Sequence, residues 1–408
     1  MKDPSSEVDG TRRLTRRNVF LLALCQALYM TGTSTVLTVT AIAGATLAPT
    51  PALATLPFSL QFLVTMATTI PASLLMRRIG RRSGFQIGLV AGAIGAALAA
   101  IGLFVHDFAL FATGSALIGV LNGFAIFYRF AAADAATEVF KSRAISLVMA
   151  GGVIAAFTGP ALARVSVHWI SEAPFVGSFA ALIVLHLCAV VLFLGVDLPR
   201  EKILASEGTG RPVRTIVSDP VFVVALVAAV IGYAAMSLVM TATPPAMVSH
   251  GHTFLQATFV IQWHVLGMFA PSFVTGHLIA RFSATRVIAA GALLILLCAV
   301  INLIGMDMGH FTVALALLGV GWNFMFIGAT SLIATAHTGP EKAKIQGLND
   351  FAVFSVVSAA SFASGALESS LGWSAVNLAV IAPVTGTGLA AIWLSRHLRA
   401  HKKHGIPT

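Results

Sequence analysis

Two short segments in the second half of the chain collect soft donor atoms. Met236 and Met240 stand four positions apart, as do His264 and Met268. On an α-helix such pairs share a face, so each segment presents two donors along one line. Thioether sulfur and neutral imidazole nitrogen suit Cu(I) better than Mg2+, Ca2+ or Mn2+. Zinc sites favour thiolate, imidazole and carboxylate, and no such set accompanies these four residues. Thioethers bind without losing a proton, so such a site depends on pH only through His264. The competing role is packing. Methionine fills irregular gaps between helices, and a histidine deep in an apolar segment serves equally as a hydrogen-bonded packing residue, although polar groups in lipid are costly and often functional.

Other chemistry-bearing residues lie nearby or at matching positions in the first half. Met30 and Met66 fall close to the positions that a repeat would pair with the soft donors, either as transient contacts or as core. Met247, His250 and His252 follow Pro244-Pro245, which is expected to interrupt the segment, and stand where an entering ion would first meet the protein. Arg129 and Asp350 are charges inside apolar segments, read either as a gate between the two halves or, for Arg129, as a snorkelling side chain or a local partner of Asp134. Gln61, Asn122, Asn323 and Asn349 are candidates to line a cavity or to hydrogen-bond between helices. His397, His401 and His404 have helical spacing in a basic tail, which a lipid surface explains as well as a metal does.

The elements that must position these residues are membrane helices. Of 408 residues, 57% are hydrophobic and 10% charged, too few charges for the solvated shell of a soluble protein of this size. The apolar residues form blocks that reach the roughly 20 residues of a bilayer-crossing helix. Twelve spans are expected, at 18–42, 53–76, 84–105, 108–133, 143–167, 175–197, 219–247, 254–280, 286–306, 310–336, 344–369 and 372–396. A cytoplasmic segment 1–17 precedes a six-helix bundle 18–197, a polar linker 198–218 follows, and a second bundle 219–396 ends in a tail 397–408. The first apolar block is too long for a signal-peptide core and is read as an uncleaved span. Of the 25 Lys and Arg, 23 fall in the termini and alternate loops, which places both termini in the cytoplasm. The net charge of +10 is thus distributed as membrane topology and forms no nucleic-acid surface. Measured from the outer helix ends at about 1.5 Å per residue, Met236 and His264 lie about 15 Å deep, level near the midplane.

The halves repeat each other. The run from Ala116 to Asn122 (ALIGVLN) matches that from Ala316 to Asn323 (ALLGVGWN), and Ser73 to Arg78 lines up with Gly276 to Arg281, at offsets of 200 to 203. Helical repeats around a midplane site are a common architecture of secondary transporters. With Ser73 to Arg82 reading SLLMRRIGRR, the chain resembles the major facilitator superfamily, whose loop between the second and third helices carries a G-x-x-x-D-R-x-G-R-R signature. Gly80, Arg81 and Arg82 are kept, while the first Gly is Ser73 and the Asp is Arg77. That resemblance implies an all-α fold of twelve helices in two bundles. The MxxxM and HxxxM pairs are further similar to those of the CcoA-like copper importers. This implies copper as transported substrate, held by Met236, Met240, His264 and Met268, and supply of a haem–copper oxidase.

No ATP-binding P-loop and no nucleophile–base pair is present, so movement of a solute is expected rather than catalysis. The reading that follows is a carrier that imports copper, bare or as a small complex, across a bacterial inner membrane by alternating access. It is expected to be monomeric, with no cofactor and no nucleic-acid partner. No mid-span carboxylate marks a proton route, which leaves proton symport and uptake driven by cytoplasmic copper sequestration both open. Two other readings stay open: a carrier of an organic solute such as riboflavin or a drug, and a copper-binding membrane sensor or assembly factor.

Overall fold

The computed structural model describes residues 4–136, 144, 147–198, 213–336 and 341–403. Lys141, Arg143, His404 and most of the expected central linker lie outside them. Among the described residues there is no strand, and fourteen α-helices carry the fold: α1 Pro4–Leu47, α2 Leu56–Ile79, α3 Arg81–Phe104, α4 Phe108–Ala125, α5 Tyr128–Asp134, α6 Gly151–Ser166, α7 Val176–Leu194, α8 Val213–Ile216, α9 Pro220–Ser249, α10 Phe254–Phe269, α11 Ser272–Phe282, α12 Ala284–Ile304, α13 Met308–Thr335 and α14 Lys342–Lys403. Helix dominates because lipid leaves backbone N–H and C=O groups no partner but one another.

Among the described residues ten helical stretches are long and apolar enough to cross a bilayer, and the pair α10–α11 makes an eleventh, bent by 43°. Helix α14 has 62 residues, a length of about 90 Å, three times a bilayer core of about 30 Å. Gly372, at φ 80° and ψ 176°, breaks it into two helices, which brings the crossings to twelve. Only a residue without Cβ adopts that backbone cheaply.

Helix α1 begins at Pro4 and so includes most of the segment 1–17, because polar and basic residues do not end a helix. Two expectations differ in detail. Helix α9 continues through Pro244 and Pro245 to Ser249, so these prolines do not interrupt the span; helix-breaking residues are tolerated where neighbouring groups re-satisfy the backbone. The eighth span, expected as one helix, breaks at Ala270-Pro271, where proline cannot donate to the carbonyl one turn back.

The chain forms two compact units, one within Met1–Thr50 and Leu56–Ile203, the other within Pro51–Thr55 and Leu204–Thr408. In the first, α4 packs on α2 and α3, α3 on α7, and α1 on α6. In the second, α13 packs on α10 and α12, α12 on α14, and α9 on α14. The repeat read from sequence is therefore a repeat of packing partners. It extends to close contacts: a Cβ on Gly119 would lie 2.5 Å from the Gln61 carbonyl oxygen, and a Cβ on Gly319 would press on the His264 carbonyl oxygen. Glycine at each crossing lets two helix backbones meet.

The core of the first unit is aromatic. Tyr128, Phe85 and Phe193 are fully buried, with ring centroids 4.8 to 5.3 Å apart. Arg81 of the loop signature forms an ion pair with Asp134 at 2.8 Å, tying α3 to the end of α5.

Candidate functional site

In the second unit Gly232 of α9 faces Met325 of α13, where an added Cβ would stand 3.0 Å from the Met325 Cβ. That approach brings the residues on either side into contact. Tyr233 of α9 meets Trp322 and Phe326 of α13 edge to face, at 5.4 and 5.7 Å. Trp322 and Phe326, one turn apart, stack at 5.1 Å with 10° between their planes. Phe354 of α14 approaches Tyr233 at 6.3 Å. Tyr233 is 13 residues from the start of α9 and Trp322 is 13 from the end of α13, so both sit near mid-helix. Tyr233, Phe326 and Phe354 are half-buried, whereas Trp322 is 8% exposed. The Trp322 indole nitrogen is buried with no hydrogen-bond partner among the described residues.

This cluster was not read from the sequence. Tyr233 precedes Met236 by three positions and so lies on the helix face that carries the methionine pair. Trp322 and Phe326 sit at i and i+4 beside Asn323, the one local signal that was available.

The four soft donors are distributed as follows. Met236 and Met240 are buried, at 3% and 2% exposure, on α9. His264 is fully buried on α10 and Met268 half-buried. Direct packing between α9 and α10 is slight, and each helix packs instead on α13. The His264 Nδ1 lies 2.9 Å from the Leu315 carbonyl oxygen. A carbonyl only accepts, so Nδ1 carries the hydrogen and Nε2 the lone pair. That Nε2 has no hydrogen-bond partner among the described residues, and neither has the Gln61 Nε2 at the repeat-related position. Among the described residues no group of three or more His, Cys, Asp or Glu is placed to hold a metal.

Several of the remaining candidates have local partners. Asn323 is buried; its Nδ2 donates to the Met268 carbonyl and to Ser272 Oγ, both at 2.6 Å, and its Oδ1 accepts from Thr275 Oγ1 at 2.7 Å. It thereby clamps α13 to the break between α10 and α11, serving a carbonyl at the site where the helix is interrupted. His250 Nδ1 donates to the Ala246 carbonyl at 2.7 Å. His252 Nε2 donates to the Met306 carbonyl at 2.8 Å, and its ring stands edge-on to Phe311. Met247 is fully buried. The Arg129 guanidinium lies 4.8 Å over the Phe130 ring, and Asp350 accepts from Asn349 Nδ2 at 3.1 Å. Met30, Met66 and Asn122 are half-buried. His397 stacks on Trp393 at 5.3 Å.

The sequence profile of the Major Facilitator Superfamily matches residues 22–362. The riboflavin transporter RfnT of Brucella anthropi is 44% identical over 364 residues, which span 89% of this chain and 92% of RfnT. YdeG of Bacillus subtilis, an MFS-type transporter, is 28% identical over 399 residues, 91% of this chain and 90% of its own. Among solved structures, the POT family transporter PepTSo superposes with a TM-score of 0.72 at 13% identity, covering 95% of this chain and 98% of its own. The human organic anion transporter MFSD10 gives 0.67 at 12%, with 92% and 99% covered. Such low identities speak to fold alone.

The copper reading is corrected by these relations. Similarity to CcoA-like importers rested on four residues, whereas similarity to a riboflavin transporter extends over about nine-tenths of both chains. Spacing of four on a helix is also the spacing of any pair packed on one face, so the methionine and histidine pairs do not by themselves imply copper as substrate or ligand. The profile match, the RfnT relation and the duplicated helix packing agree: this multi-pass membrane protein belongs to the Major Facilitator Superfamily.

Proposed function

We propose that the chain carries an organic solute, riboflavin or a closely related flavin, across a bacterial inner membrane. The observation that carries this reading is the 44% identity to a riboflavin transporter over nearly the full length of both proteins. The half-buried aromatic cluster of the second unit supports it, since a planar tricyclic ring is well matched to stacking surfaces and poorly matched to a charged site. Alternating access, with six-helix bundles 18–197 and 219–396, is the proposed mode of transport. Both termini are proposed to be cytoplasmic, supported by the 23 Lys and Arg on one side.

The test is uptake of radiolabelled riboflavin by a riboflavin-auxotrophic bacterium that lacks its own flavin carrier and expresses this chain. Saturable uptake that excess unlabelled flavin competes and copper salts leave unchanged is the expected result. Absence of flavin uptake, with the protein detected in the membrane fraction, overturns the reading.

A further inference from the structure

Four aromatic rings from three helices meet near mid-helix in the second unit, three of them half-buried, around an indole whose N–H has no hydrogen-bond partner among the described residues. Indole nitrogen is a donor only, and a donor left unmet in an apolar interior is costly. A cluster needed for packing alone is as well served by phenylalanine, which carries no such penalty. The repeat of the fold does not require the cluster either, because with Asn122 matched to Asn323 the positions of Trp322 and Phe326 fall on Leu121 and Ala125. No Asp, Glu, Lys or Arg occurs in α9 or α13, while α14 carries Asp350 one turn before Phe354.

We propose that Tyr233, Trp322, Phe326 and Phe354 form the stacking platform for the planar heteroaromatic ring of the substrate, and that the Trp322 Nε1 hydrogen bonds to an acceptor on that ring. The proposal rests on the flavin reading and deepens it. Isoalloxazine offers both parts of the match: a flat π surface for the rings, and carbonyl oxygens and unprotonated ring nitrogens as acceptors for one N–H. Stacking tolerates any flat ring, because every such ring has a π face. The indole hydrogen discriminates among them, because a ring with no acceptor leaves that donor unmet.

The experiment is titration of the purified full-length protein in nanodiscs with riboflavin, followed by flavin fluorescence, with lumiflavin as the isoalloxazine ring without the ribityl chain and ribitol as the side chain alone. Wild type is expected to quench riboflavin on binding, to bind lumiflavin also, and to show no competition by ribitol. Trp322→Phe keeps a ring and removes the donor, and is expected to weaken riboflavin about fivefold, the loss of one neutral hydrogen bond. Tyr233→Leu, at a half-buried position, is expected to weaken it at least tenfold through lost stacking and provides the comparison should Trp322→Phe not purify. Wild type that binds riboflavin, together with both variants at unchanged affinity, overturns the platform and leaves the flavin reading standing. Wild type that binds no flavin overturns both.

Discussion

Replacing Gly319 by alanine tests the helix crossing on which the second unit is built. The new Cβ would lie 2.9 Å from the Met268 nitrogen and 3.0 Å from the Gly267 carbonyl carbon, and closer still to the His264 carbonyl oxygen. All three are backbone atoms of α10, so no side chain can swing aside, and α10 and α13 must move apart by a sizeable fraction of an ångström. Overpacking of this kind costs about 1–3 kcal/mol. For a unit of about 200 residues that corresponds to a fall in Tm of roughly 2–12 °C. Gly386 is the internal control, since a Cβ there meets nothing within 4 Å and it lies within the helical span of α14; alanine at such a place is expected to stabilise by roughly 0.5–1 kcal/mol. The assay is thermal unfolding of the detergent-purified protein, followed by a thiol-reactive dye or by loss of the monodisperse peak after heating. The two substitutions should move Tm in opposite directions. A Gly319→Ala protein as stable as wild type, with Gly386→Ala behaving as expected, would refute the claim that backbone contact at this crossing requires glycine.

Other consequences follow from the same coordinates. Asn323→Ala removes three hydrogen bonds at the α10–α11 break and leaves the Met268 carbonyl in need of a donor, for an expected loss of about 2–3 kcal/mol in the same thermal assay; an unchanged Tm would show that the break holds itself. The Arg81–Asp134 pair is partly exposed, at 14% and 42%, so a double-mutant cycle should give a coupling of only about 0.2–1 kcal/mol that shrinks with added salt, and a larger, salt-independent value contradicts this. Asp307 caps α13, accepting from the Gly309 and His310 backbone N–H groups at 2.8 and 3.0 Å. The His310 backbone N–H first, then the His310 side chain, hold its carboxyl below the ordinary carboxylate range. A depressed folded value means that the cap's contribution is full above the ordinary range and is lost as pH falls through the folded value. Thermal scans across acid pH should therefore show Asp307→Ala destabilised near neutrality and converging on wild type in acid, and parallel curves at all pH values contradict the assignment.

The multi-pass helical character was legible residue by residue. Apolar blocks, basic loops and the duplicated ALIGV-type run are local or evenly spaced signals, and they carried the fold class, the span positions and the repeat. The break at Pro271 and the persistence of α9 through Pro244 and Pro245 were harder to read, because proline lowers helix stability everywhere and only the neighbouring helices decide whether the freed carbonyls find donors. At Pro271 that neighbour is Asn323, about fifty positions away. The site was less legible still. Methionine and histidine at a spacing of four gave a vivid pattern, but four residues weigh little against identity spread over 364, and helix packing produces the same spacing.

What sequence alone determined was the solvent and the architecture: a chain this apolar must span a membrane as helices, and a chain that repeats itself must build two like bundles. Which side chains meet was decided by tertiary structure. Tyr233 and Phe354 stand 121 positions apart, and they come together because α9 packs directly on α14, while glycines at Gly232 and Gly319 let α13 settle against α9 and α10. Hydrophobic periodicity marks a buried face without naming the helix that covers it, since dispersion and apolar burial are non-directional. The absence of a single Cβ at each crossing supplies the direction.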